Sequence, residues 1–361
     1  MPGLTLPPFP DNIPIHPLLV IDYELLKAGD NDEIEKLWKA ATELGFWYLK
    51  NHGADEEVNG MFDWGAETMA LPLEEKLKFA QGEGIKTYGY KPLGHVATNE
   101  YGSPDNIELF NVSKEDVLAY PDVVHTTYPS TVNARMESTI IPFTRKSLDV
   151  VETTMTIFEK KLGLPAGAIM RLHPLMEPSG CEARVIKSPP KYTANPDGKV
   201  DMDKVSLGAH TDFGSLSFLH NRLGGLQVLP PGSQDWYYVR PMPGHAICNI
   251  GDALSMFSGG ALRSNMHRIV PPPGAQAAYP RWSVVFFSRP ANTVRLRALE
   301  EGSVVKEALS RMSPEDRARY DPNVTQGEWY ARRMDGISLK NRKGPETYRA
   351  SRGMEHKPGA V

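Results

Sequence analysis

Apolar and polar positions follow two rhythms along the chain. In residues 31–44, Ile34, Leu37, Trp38, Ala41 and Leu44 recur at helical spacing with acids early in the segment, so a helix is predicted there, ended by Gly45. Before it, residues 18–23 form a short apolar run that reads as a strand. After it, residues 46–49 return to strand and Asn51-His52-Gly53 make a turn. A second helix is expected around residues 58–69. Further on, Pro142 should start or kink a helix, and Leu148, Val151, Met155, Phe158 and Leu162 draw the apolar stripe of one long helix that Gly163 and Pro165 stop.

From about Glu182 the period shortens. Short β-rich runs at 205–209, 215–219, 226–229, 236–239, 246–250 and 282–288 are separated by Gly, Pro, Asn and Asp, the texture of a sandwich or barrel. After about Ser310 the chain turns charged and helical. The expected organisation is a strand and helix region over residues 1–130, a supporting helix and linker over 131–180, a β core over 181–300 and a helical cover with tail over 301–361. No internal repeat is visible.

Composition narrows the function. The chain has 361 residues, 40% hydrophobic and 23% charged, with a formal net charge of -4. Such a balance offers no basic face for nucleic acid or an anionic membrane. The two cysteines, Cys181 and Cys248, make neither a disulfide framework nor a zinc motif. No apolar run approaches the roughly 20 residues of a membrane span. The proline-rich start lacks the pattern of a signal peptide, so a cytoplasmic location is expected. The oligomeric state is not legible.

The densest chemical signal is Gly208-Ala209-His210-Thr211-Asp212-Phe213-Gly214. On a strand, His210 and Asp212 would point to one face and reach a single cation. His267 opens another strand-like run and supplies a third ligand. Two histidines and one carboxylate are the facial triad of non-haem Fe(II) sites, which leaves positions open for other ligands. Downstream, Arg281, Ser283, Val285 and Phe287 share one face of a strand by alternation. An inward arginine is costly unless paired. A dicarboxylic acid would pair it, gripped by the planar guanidinium with help from the Ser283 hydroxyl.

At these residues the chain resembles the family of 2-oxoglutarate- and Fe(II)-dependent dioxygenases that includes isopenicillin N synthase and the plant flavonoid and gibberellin oxidases. The H-x-D…H motif matches His210, Asp212 and His267, and R-x-S matches Arg281 and Ser283. Gly224-Gly225-Leu226-Gln227-Val228, Asn249-Ile250-Gly251-Asp252 and Arg263-Ser264 fit in order. So do Ile21-Asp22, Gly45-Phe46, Asn51-His52-Gly53, Leu71-Pro72 with Glu75-Lys76, and Asp105 with Glu108 upstream. The likeness covers about residues 15–300. One departure is Ser188, in Arg184-Val185-Ile186-Lys187-Ser188-Pro189-Pro190, where the family often has tyrosine.

The resemblance implies a mainly β fold with α: a double-stranded β-helix (jelly-roll) core, a helical N-terminal region and C-terminal helices. It implies Fe(II), 2-oxoglutarate as co-substrate and O2. The expected reaction is hydroxylation, desaturation or ring closure of a small, partly hydrophobic metabolite of secondary metabolism, with release of succinate and CO2. Its rivals are a same-fold Fe(II) oxidase that does not use 2-oxoglutarate, a metal-free jelly-roll binding protein and a zinc hydrolase. Arg184, Ser188, Tyr192, Phe110 and Phe287 are candidate substrate-pocket residues, with Tyr88, Tyr90 and Trp329 as further aromatic candidates. Milder readings fit the remaining polar residues. His52 is structural, His220 and His245 face solvent or a loop, Asp252 makes a turn hydrogen bond, and Asp105 and Glu108 are loop acceptors.

Overall fold

A computed structural model describes residues 6–82, 84–190 and 205–353. Among the described residues twelve strands form: β1 (Val20–Asp22), β2 (Phe46–Lys50), β3 (Gly89–Lys91), β4 (Glu108–Ser113), β5 (Glu182–Ser188), β6 (Leu207–His210), β7 (Leu216–Asn221), β8 (Leu226–Val228), β9 (Tyr237–Tyr238), β10 (His245–Ile250), β11 (His267–Ile269) and β12 (Arg281–Ser288). They assemble into an eight-stranded sheet, β1-β2-β10-β7-β12-β5-β4-β3, and a four-stranded sheet, β6-β11-β8-β9. Every pairing is antiparallel except β1 with β2. This is the jelly-roll core expected, mainly β with added helices.

Period two sorts the large sheet into two faces. Trp282, Val284 and Phe286 of β12 alternate with Arg281, Ser283, Val285 and Phe287; the first set packs with the helical layer and the second faces the space between the sheets. The helices Asn31–Glu43, Asp55–Met69 and Ile141–Leu162 form that outer layer. Phe158 of the long helix meets Trp47 of β2 edge to face at 6.3 Å, and Trp64 meets Phe110 of β4 at 6.3 Å. Each such fully buried aromatic contributes on the order of 1.5–3 kcal/mol through the area removed from water.

Pro142 sits in the first turn of the long helix, where its missing N–H costs nothing, and the π-turn Met136–Ile140 precedes it. Tyr23, expected on a strand, instead begins the helix Tyr23–Ala28, because the Asp22 carboxylate accepts from the Glu24 N–H and caps it. The C-terminal helices are Ser303–Ser310, Pro314–Ala318, Gln326–Ile337 and Pro345–Ala350. Thr325 and Glu328 close a reciprocal capping box at the start of the third of these. Its residues Tyr330, Met334 and Ile337 line the mouth of the core. Among the described residues no helix is long and apolar enough to cross a membrane.

Candidate metal and co-substrate site

Antiparallel register sets His210, the last residue of β6, directly opposite His267, the first of β11. Their ring centroids are 4.3 Å apart. Each ring is fixed through Nδ1, against the Gly208 carbonyl at 2.8 Å and the Asn265 carbonyl at 3.2 Å. Both Nε2 atoms are thereby left for a ligand, and they lie 3.8 and 3.6 Å from Asp212 Oδ1. The donor atoms of the three residues all fall within 4.8 Å of one another.

Asp212 stands just beyond β6 rather than on it. The strand ends there because Thr211 bonds elsewhere: its N–H donates to the Arg352 carbonyl at 3.0 Å, and its carbonyl accepts from Arg333 Nη2 at 3.0 Å. Asp212 Oδ2 accepts from Ser217 Oγ at 2.5 Å and Asn249 Nδ2 at 2.7 Å, which aims Oδ1 at the histidines. Burial, the largest influence, raises the Asp212 pKa, but His267, His210 and these two donors outweigh it and hold the carboxyl at about 2. Burial, aided by the charge of His267, lowers His210 to about 3. The site thus offers two imidazole nitrogens and one ionised carboxylate, a donor set suited to a divalent iron and poorer in nitrogen and sulfur than zinc prefers.

Beside this cluster, Arg281 is 2% exposed. Its Nε donates to the Gly224 carbonyl at 2.8 Å and its Nη1 to Ser283 Oγ at 2.7 Å. Gly225 makes that approach feasible: its φ is +111°, and a Cβ there would stand 2.5 Å from the Val270 carbonyl oxygen. Arg281 Nη2 has no partner among the described residues, and neither has Ser188 Oγ, although β5 and β12 set Ser188 directly opposite Arg281. Burial lowers the Arg281 pKa to about 10, so the guanidinium stays charged at neutral pH. A buried cation with one N–H pair unclaimed fits a carboxylate supplied from outside.

The two groups open into one cavity of about 160 Å³ between the sheets. Phe287 and Arg184 line it, as do Phe46, Phe213, Tyr330 and Tyr348. The Arg184 guanidinium lies 4.8 Å from the centre of the Phe287 ring and donates to Asn111 Oδ1 and Glu182 Oε1. Several expectations are corrected. Phe110 is fully buried against Trp64 and Tyr128, because period two turns its neighbour Leu109, not Phe110, toward the cavity. Among the described residues lining the cavity, Ser188, Tyr88, Tyr90 and Trp329 are not found. Tyr192 lies outside the described residues.

The milder readings also shift. His220 is buried, 4.5 Å from Phe218 and 5.2 Å from His52 between ring centroids, so it does not face solvent. Asp105 and Glu108 are buried ion-pair partners, of Lys91 and of Lys76 with Lys187, rather than simple loop acceptors. Asp252 is no turn cap: it is fully buried against Arg333 and accepts from Ser264 Oγ at 2.8 Å. Lys91, Arg289, Arg352 and Tyr348 also border the cavity and were missed, since each comes from a segment with no local motif. Asn249 was visible as part of N-x-G-D, but not its bond to the Asp212 carboxylate.

A jelly roll that holds two histidines and a carboxylate between its sheets, with a buried arginine beside them, defines a non-haem iron oxygenase. Residues 18–133 match the N-terminal family of non-haem dioxygenases in morphine synthesis, and residues 181–290 match the 2OG-Fe(II) oxygenase superfamily. A homoarginine-6-hydroxylase of Oryza sativa subsp. japonica is 30% identical over 70% of this chain and 76% of its own length. A 2-oxoglutarate-dependent dioxygenase of Aspergillus fumigatus is 28% identical over 84% of this chain and 83% of its own. A full-length Neurospora crassa protein, crystallised in complex with alpha-KG, shares the fold, with TM-score 0.70 at 22% identity over 91% of this chain and 99% of that one. The chain belongs to the 2OG-Fe(II) oxygenase superfamily. It is a 2-oxoglutarate-dependent dioxygenase whose cofactor set is Fe(II), 2-oxoglutarate and O2.

Proposed function

We propose that His210, Asp212 and His267 hold the Fe(II), that Arg281 and Ser283 hold the distal carboxylate of 2-oxoglutarate, and that the chain oxidises a C–H bond of a small, partly hydrophobic metabolite. The observation that carries this reading is the buried Arg281 with its unclaimed Nη2 in the same cavity as the three donors. When bound, the iron, 2-oxoglutarate and O2 together supply an oxidant for an unactivated C–H bond, with succinate and CO2 released.

This chain's own residues orient and enclose. Ser217 and Asn249 hold Asp212 ionised and aimed. The Gly208 and Asn265 carbonyls fix the tautomer of both histidines, with the proton on Nδ1 and Nε2 free. Phe46 packs edge to face on His267 at 5.3 Å and keeps its ring from turning. Leu219, Leu226, Ile269 and Val285 make the surroundings apolar, and Tyr330, Met334 and Ile337 of the C-terminal helix exclude water from the mouth. The placement of the substrate decides between hydroxylation, desaturation and ring closure. The test is succinate release across a metabolite library, with mass spectrometry of the products. A metabolite that raises succinate release and gains an oxygen or loses two hydrogens supports the reading. Succinate release that no metabolite of the class alters argues against it.

A further inference from the structure

The cavity is strongly cationic. Lys91, Arg184, Arg281, Arg289 and Arg352 line it, and the only carboxylate among its described lining residues is Asp212. Three of these cations have a carboxylate behind them: Lys91 pairs with Asp105, and Arg184 and Arg289 share Glu182. Arg281 is the residue assigned to the co-substrate. That leaves Arg352. Its guanidinium lies over the Tyr348 ring, 4.6 Å from the centroid, and it meets no acid among the described residues. Burial, with Arg333 and Arg268 nearby, lowers its pKa to about 9, so it remains a cation at neutral pH in surroundings that disfavour one.

The position of Arg352 is set by the metal loop itself. Its carbonyl accepts the N–H of Thr211, the residue between the two ligands His210 and Asp212. The carbonyl of Ser351 takes Arg333 Nε at 2.7 Å. Gly353 follows at φ +118°, where a Cβ would fall 1.7 Å from Thr211 Oγ1. The chain is thus clamped on both sides of Arg352, and the side chain enters the cavity that His210 and Asp212 share. A planar guanidinium stacked on an aromatic ring and lacking a counter-ion is preorganised for a planar anion.

We infer that Arg352 is a specificity-determining residue that binds a carboxylate of the substrate, so that the substrate class is small, partly hydrophobic carboxylic acids. This rests on the proposed iron and co-substrate roles above. The carboxylate would be held from the C-terminal side while the apolar remainder of the acid lies over Leu219, Ile269 and Val285, toward the metal donors.

The experiment uses the full chain with Fe(II) and saturating 2-oxoglutarate under anaerobic conditions. Benzoate, phenylacetate, 3-phenylpropanoate and hexanoate are titrated by calorimetry, each beside its neutral carboxamide. At least one acid is expected to bind roughly tenfold or more tighter than its amide, the worth of one charge-assisted pair. Arg352→Gln should abolish that preference, and Arg352→Lys should restore part of it. Iron content and the 2-oxoglutarate titration of both variants should match the wild type. The proposal is overturned if no acid is preferred over its amide, if Arg352→Gln keeps the preference, or if the acids compete with 2-oxoglutarate and so occupy Arg281. Failure of the wild-type 2-oxoglutarate titration would instead overturn the underlying reading of the site, which separates the two.

Discussion

Replacing Arg281 by lysine tests the co-substrate grip at its most specific point. The guanidinium commits Nε to the Gly224 carbonyl and Nη1 to Ser283, and directs Nη2 into the cavity. A lysine ammonium is a compact charge that cannot make both fixed bonds and also present a planar fork to a carboxylate. Hydrogen bonds to charged groups are worth about 1.5–3 kcal/mol, so 2-oxoglutarate affinity should fall roughly ten- to hundredfold. Iron content should not change, since Arg281 is not a metal donor. Ser283→Ala should weaken binding less, because it removes one neutral hydroxyl that positions Nη1. The assay is anaerobic titration of the Fe(II) protein with 2-oxoglutarate, followed by the charge-transfer absorbance of the chelate. An unaltered curve for Arg281→Lys would refute the assignment and favour an oxidase that does without the 2-oxo acid.

Two further outcomes follow from buried charge. Arg333→Met should destabilise the fold by about 3–5 kcal/mol in urea unfolding, because it strands the fully buried Asp252 and frees the Thr211 carbonyl; a loss below about 1 kcal/mol would contradict that account. Stability should also fall as pH drops from about 6.5 to about 4. His173 is buried between the Ile169 carbonyl and Ser215 Oγ, and burial lowers its pKa to about 4. The unfolded chain therefore binds the proton first, so the full contribution is present above about 6.5 and about 3 kcal/mol is lost on acidification. His52 and His220 shift the same way through burial. A urea midpoint flat over this range would contradict the reading, and His173→Gln should reduce the slope.

What the sequence made legible was what is local. His210 and Asp212 stand two apart, Arg281 and Ser283 share a strand face, and the long helix shows its stripe within a few turns. Strand periodicity also assigns Phe287 to the cavity, but it does not carry over to Phe110, whose neighbour Leu109 has that orientation. What was not legible depends on partners far along the chain. Asp252 meets Arg333 across 81 residues, and Thr211 meets Arg352 across 141, so neither pairing leaves a spacing to read. Asp212 was expected on the strand because nothing near it announces that Thr211 gives its backbone bonds to the C-terminal segment. Most of the cationic lining was illegible for the same reason: Arg184 stands in a recognisable segment, but Lys91, Arg289 and Arg352 come from three others with no motif of their own.

The central claim is that His210, Asp212 and His267 form an iron centre that turns over 2-oxoglutarate. Its most direct test is succinate production by the purified chain with Fe(II), 2-oxoglutarate and O2, measured beside Asp212→Ala. The wild type should release succinate in an Fe(II)-dependent manner. Asp212→Ala, folded by its unfolding curve but deprived of the anionic donor, should neither retain iron nor release succinate above background. Iron-independent release, or full release and a full iron complement in Asp212→Ala, would contradict the account.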